Sequence, residues 1–304
     1  VTILRRYGSI AAVAATAFVI TSLAACVSRG PAPAGDAEAE VAGAERAFAE
    51  AAAREGVRDA FVRFASDSAV AFGPEPEKAR EAWRRRPPLS IRLSWYPVYV
   101  RAAASGDLGF TTGPYESRDS TGALTGTGTY FTVWRREPDG WRFVVDQGIR
   151  NPPPATPPAP WTRAAMHPAA PAVAADANAA TSLLAADSAF AAEAHASGFA
   201  AALQRFGDRE VRLMRNGAPP HVGIATAVAA AAADSARRYS AVPMRGFASA
   251  AGDLGWTWGE YRLVHPGAGR RETGHYVHVW IRDGRGPWRL LVDVTAPRPP
   301  ERDE

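Results

Sequence analysis

The chain has 304 residues, of which 47% are hydrophobic, 22% charged and 10% aromatic, the make-up of a folded protein of about two domains. This excludes a fully disordered chain and a multi-span membrane protein. A net charge of +4 without a clustered basic block excludes a nucleic-acid footprint, and a single cysteine allows neither an internal disulfide nor a Cys-rich zinc site.

In chain order, Arg5 and Arg6 form a positive start, Ile10 to Ile20 is apolar apart from Thr16, and Leu23-Ala24-Ala25-Cys26 follows. Small residues after an apolar stretch of this length predict a cleaved secretory signal over 1–25. The segment around Cys26 resembles the lipobox of bacterial lipoproteins. That resemblance implies cleavage before Cys26, lipidation of its sulfur and membrane attachment through that anchor. Val27 rather than Asp follows, so nothing argues for inner-membrane retention, and the expected address is the periplasmic side of the outer membrane. Residues 26–36, with Gly30, Pro31, Pro33 and Gly35, read as a tether.

The rest is one unit written twice. Gly106-Asp107-Leu108-Gly109-Phe110-Thr111 recurs as Gly252-Asp253-Leu254-Gly255-Trp256-Thr257. Gly113, Tyr115, Gly128, Tyr130, Val133 and Trp134 recur as Gly259, Tyr261, Gly274, Tyr276, Val279 and Trp280. Trp141, Arg142 and Asp146 recur as Trp288, Arg289 and Asp293, and Ala47-Phe48-Ala49 as Ala189-Phe190-Ala191. Agreement in order and spacing predicts two domains, 37–150 and 181–296, joined by a Pro/Ala-rich linker over 151–180 and followed by a tail over 297–304. Prolines 152, 153, 154, 157, 158, 160, 168 and 171 make that linker extended, with Trp161 either docked or solvated.

Within each unit, helical spacing comes first, with Gly56 and Gly198 reading as positive-φ caps between two helices. A short strand follows (68–72 or 210–214), then a third helix (75–86 or 222–239). Strands over 90–103, 107–118, 127–136 and 141–147, and over 242–251, 253–263, 273–282 and 287–294, complete an antiparallel meander. Gly106-Asp107 and Gly252-Asp253 mark hairpin turns. The helix pair, short strand, helix and recurring Gly-Asp-Leu-Gly-aromatic-Thr, Gly-x-Tyr-x-x-Val-Trp and Trp-Arg-x-x-Val-Asp motifs resemble the nuclear transport factor 2-like superfamily. Its SnoaL-like branch of unknown function is the nearest in pattern. The resemblance implies an α+β fold of two cone-shaped α+β-barrel domains, each three helices packed in a curved antiparallel sheet around an apolar pocket. The second unit departs at Ala241, where the first has Trp95, and at Met214-Arg215, where the first has Phe72-Gly73.

Members with isomerase or cyclase activity use a buried carboxylate base, so the recurring Asp146 and Asp293 are the natural candidates. Alternation of Trp141, Phe143 and Val145 sends Asp146 to the opposite face beside Arg142, which predicts surface pairs Arg142–Asp146 and Arg289–Asp293. Catalytic residues are therefore expected to be none. His275 and His278 lie three apart on one strand and cannot share a metal, and no phosphate loop or HExxH motif occurs, so neither a metal nor a cofactor is expected. The pocket candidates are Trp95, Tyr130, Thr132 and Trp134 in the first unit and Tyr276, His278 and Trp280 in the second. The third strand is apolar on both faces, which predicts that the two sheets cover each other as an intramolecular pseudo-dimer. The expected function is non-catalytic binding of a small apolar or amphipathic ligand. An isomerase or cyclase of the ketosteroid-isomerase class and an envelope interaction module are the alternatives.

Overall fold

The computed structural model describes residues 34–73, 75–167, 175–233, 238–265 and 270–299. The expected signal segment and Cys26 lie outside them. No helix among the described residues is long and apolar enough to cross a membrane.

The first repeat opens with α1 (Ala34–Glu55) and α2 (Val57–Phe64), followed by β1 (Ala65–Phe72), β2 (Pro76–Lys78) and α3 (Ala79–Arg85). Its sheet is completed by β3 (Ile91–Trp95), β4 (Tyr99–Ala102), β5 (Leu108–Asp119), β6 (Leu124–Glu137) and β7 (Gly140–Arg150). The second repeat runs α4 (Ala179–Ser197), α5 (Phe199–Phe206), β8 (Gly207–Met214), β9 (His221–Val222) and α6 (Ile224–Ala232). It ends with β10 (Arg238–Ala248), β11 (Leu254–His265), β12 (Arg270–Ile281) and β13 (Arg289–Pro297). Gly56 and Gly198 have φ of 92° and 95° between their helix pairs, a conformation that glycine adopts without steric cost.

Two units of sheet and helix are present, but neither sheet closes into the expected barrel. The strand orders are β2-β1-β7-β6-β5-β3, with β4 also on β5, and β10-β11-β12-β13-β8-β9. Closure needs the two edge strands to pair along their length. Here one edge is the three-residue β2 or the two-residue β9, too short to carry a ladder, and helices lie over one face between the edges. The sheets are also mixed rather than antiparallel, because β1 and β8 enter parallel to β7 and β13. The strand expected over 90–103 is split into β3 and β4 around Tyr96-Pro97-Val98. The third helices are shorter than expected: β2 takes the first residues in the first repeat, and in the second Val222 belongs to β9, α6 ends at Ala232, and Arg238 and Tyr239 already belong to β10.

Each sheet buries one face under its own helices, around Phe48, Trp95 and Trp134 in the first repeat and Phe190, Leu203 and Trp280 in the second. The other faces meet in one common core. Phe110, Phe131, Val133 and Val145 pack with Trp256, Trp258, Val277 and Val279. This explains why the third strand is apolar on both faces, and it gives the two units the arrangement of an intramolecular pseudo-dimer. The hairpin turns of the two repeats exchange reciprocal contacts. Ala104 N donates to Asp253 Oδ2 at 2.8 Å, and Ala250 N donates to Asp107 Oδ2 at 2.9 Å. Residue i meeting j while j meets i is the signature of a two-fold contact. Trp161 in the connecting segment is docked, buried against the first repeat with its backbone N–H donating to Pro97 O at 2.7 Å.

Candidate functional site

Asp146 and Asp293 do not face the way simple alternation requires. Between β6 and β7, Val133 pairs with Val145 and Trp134 with Phe143, leaving Val144 as an extra residue. Between β12 and β13, Val279 pairs with Val292 and Trp280 with Leu290, leaving Leu291 extra. Each is a β-bulge, and one inserted residue reverses the facing of everything after it. Val144 and Val145, like Leu291 and Val292, therefore enter the shared core, and both aspartates turn beneath the helices. The expected surface pairs do not form. Arg142 binds Asp139 at 2.5 Å, and Arg289 donates to Arg205 O at 2.6 Å.

In the first repeat Asp146 accepts a hydrogen bond from Thr132 at 2.8 Å and lies near the buried Glu45. Glu45 receives Trp95 Nε1 at 2.5 Å, Trp134 Nε1 at 2.9 Å and the Thr111 hydroxyl. Burial raises the Glu45 pKa against these hydrogen bonds, and burial together with the Glu45 charge pushes Asp146 up to about 7. The candidates Trp95, Tyr130, Thr132 and Trp134 are all buried here, packed as core around Glu45.

The second repeat keeps the plan and changes the chemistry. Asp187 stands in the place of Glu45, His278 in that of Thr132, and Arg215 in that of Gly73. Ala241 carries no indole to fill the role that Trp95 plays for Glu45. Asp187 instead receives Tyr276 OH at 2.9 Å and His278 Nδ1 at 2.8 Å. On the far side of the imidazole, His278 Nε2 is 3.5 Å from Asp293 Oδ2. Asp293 Oδ1 takes Arg215 Nη1 at 2.6 Å. Two anions and two cations thus alternate in a row, and Asp187, His278 and Asp293 are all buried.

Burial opposes the charge on His278, but Asp187 and Asp293 on either side outweigh it and push its pKa up to about 9. Burial would raise Asp293, but Arg215 and His278 hold its carboxyl well below the usual carboxylate range. His278 Nε2 and Asp293 Oδ2 are buried without a hydrogen-bond partner in good geometry among the described residues.

A cavity of about 280 Å³ opens beside this row, with Phe199, Leu213, Tyr239, Tyr261 and Leu263 as its apolar wall. Arg215 reaches both. It lines the cavity with 27% of its side chain exposed while Nη1 holds Asp293. Tyr261 OH is committed to Glu272 at 2.7 Å. Burial holds the Tyr239 pKa well above 10, with Asp293 adding to the rise, so its hydroxyl remains a donor at neutral pH. The candidates Tyr276, His278 and Trp280 lie behind the cavity wall rather than on it. The residues missed are Asp187, Arg215 and Tyr239. The signal for Asp187 was present, since it stands at the same offset from Glu45 as Phe190 does from Phe48.

No protein-family model matches the chain, and no curated protein matches it. Among solved structures, a ketosteroid isomerase-like protein from Erwinia carotovora atroseptica matches with a TM-score of 0.37 at 12% identity, over 41% of this chain and 100% of its own. A putative polyketide cyclase from Xanthomonas campestris pv. campestris matches at 0.31 and 14%, over 38% and 90%. A putative SnoaL-like polyketide cyclase from Jannaschia sp. matches at 0.32 and 13%, over 40% and 89%.

Proposed function

We propose that the second repeat binds a small amphipathic carbonyl compound and transfers a proton on it, as an isomerase or cyclase does, in a protein anchored to the envelope through Cys26. The observation that carries the proposal is the Asp187–His278–Asp293–Arg215 row beside an apolar cavity. Buried charges cost folding energy, and the first repeat, with Thr132 and Gly73 in place of His278 and Arg215, shows that the fold does without the two cations. A fold of this kind hosts many functions, so the argument rests on the site.

Arg215 and Tyr239 supply donors for a carbonyl oxygen. As negative charge grows on that oxygen, the guanidinium shifts its interaction from Asp293 to the ligand. Asp293 then loses one of the two partners that lower its pKa, and burial turns it into a stronger base. His278, oriented by Asp187, keeps the second carboxylate oxygen in place.

The test is hydrogen–deuterium exchange at the α-carbon of 2-tetralone in D₂O, followed by NMR. Wild type is expected to exceed Asp293→Asn by about 100-fold, the lower end for a positioned general base. Equal rates from two folded proteins overturn the proton-transfer reading. A second reading, binding without catalysis, is favoured by the low basicity of Asp293 in the free protein. Saturable binding that Arg215→Met abolishes, with no exchange in wild type, decides for it. Membrane anchoring is tested by cell fractionation, where Cys26→Ser is expected to move the protein from the membrane to the soluble fraction.

A further inference from the structure

Glu260 and His275 are directly paired across β11 and β12, on the face turned toward the first repeat. The first repeat reaches over them with Phe72, stacked on the His275 ring at 5.3 Å, and with Glu75 from the turn after β1. Ligand atoms of Glu75, Glu260 and His275 all lie within 4.8 Å of one another. A cation of the chain itself is drawn into this cluster. Arg298 Nη2 is 3.1 Å from Glu75, 2.8 Å from Glu260 and 3.3 Å from His275 Nε2.

The imidazole is the informative member. It is fully buried, and Nδ1 has no hydrogen-bond partner among the described residues. A guanidinium can only donate, so Nε2 accepts, the ring proton sits on Nδ1, and the Nε2 lone pair is directed at the place where Arg298 Nη2 meets Glu75 and Glu260. The first repeat has Thr129 and Pro114 at the equivalent places, so the fold does not require the cluster.

We propose that Glu75, Glu260 and His275 Nε2 form a divalent transition-metal site, best suited to Zn²⁺, that clasps the two repeats together and competes with Arg298. One neutral imidazole and two carboxylates, with water as fourth ligand, meet the preferences of zinc. Bonds of about 2.0–2.1 Å in a tetrahedron place ligand atoms about 3.3–3.4 Å apart, so the cluster must tighten by about 1.5 Å at most. Glu75 is exposed on a turn and can supply that movement.

The experiment is calorimetric titration of chelator-treated full-length protein with ZnCl₂, repeated on Glu75→Gln, Glu260→Gln and Arg298→Met. Wild type is expected to bind one Zn²⁺ per chain, and each Gln variant at least tenfold more weakly. Arg298→Met is expected to bind more tightly, because the competing cation is gone. Co²⁺ added in place of Zn²⁺ is expected to give the intense visible bands of a tetrahedral site. Absence of binding, or binding that neither Gln variant weakens, overturns the proposal. Glu75 is exposed, so Glu75→Gln keeps the test valid should Glu260→Gln fail to fold.

Discussion

Asp146 and Asp293 occupy the same place in the two repeats and titrate in opposite directions. Asp146 is pushed up to about 7 by burial and the neighbouring Glu45, whereas Arg215 and His278 hold Asp293 down. A raised carboxylate pKa means that the folded state keeps a proton the unfolded state has lost. Stability contributed at Asp146 is therefore full below about pH 4 and falls as pH rises to about 7. Asp146→Asn is expected to flatten that slope in urea unfolding measured from pH 4 to 8. His278 carries the same sign over a higher pH range. Its pKa is raised from 6.5 to about 9, so its contribution is full below about pH 6.5 and lost as pH climbs through 9. Arg215→Met leaves Asp293 buried with one counter-charge fewer and is expected to cost about 3–5 kcal/mol. Arg215→Met combined with Asp293→Leu is expected to recover part of that loss, as read by Tm.

The elements carry the two bulges that re-aim these aspartates. The recurrence of Trp-Arg-x-x-Val-Asp was legible in the sequence, and so were the helix pair, the turns at Gly106 and Gly252 and the doubly apolar third strand. The bulges at Val144 and Leu291 were not. An inserted apolar residue in an apolar run leaves the composition of the strand unchanged and alters only its pairing partner. Barrel closure was carried over from the family resemblance, and the short edges β2 and β9 were absorbed into the predicted third helix. Gly259, by contrast, repeats Gly113 for a reason the structure supplies. A Cβ there would lie 2.3 Å from Val242 O and 2.7 Å from the Tyr276 ring, too close for any side chain. Gly259→Ala is expected to destabilise the second repeat by about 1–3 kcal/mol in thermal unfolding.

Across the whole molecule, the two repeats fill their helix-covered interiors differently while sharing one core. The first repeat fills its helix-covered interior with Trp95 and Trp134 around Glu45, while the second keeps a cavity and a row of charges beside it. The reciprocal bonds of Asp107 and Asp253 fix how the sheets meet. Asp107→Ala and Asp253→Ala are each expected to cost about 1.5 kcal/mol, the low end for a hydrogen bond to a charged group. What distinguishes the second repeat is an ionised row that Arg215 links to the cavity. The most direct test follows the His278 ring nitrogens by ¹⁵N NMR from pH 5 to 10, in wild type and in Arg215→Met. An imidazolium at pH 7.5 that titrates near pH 9, and shifts when Arg215 is replaced, is expected. A neutral His278 at pH 7.5, or a titration indifferent to Arg215, would contradict it.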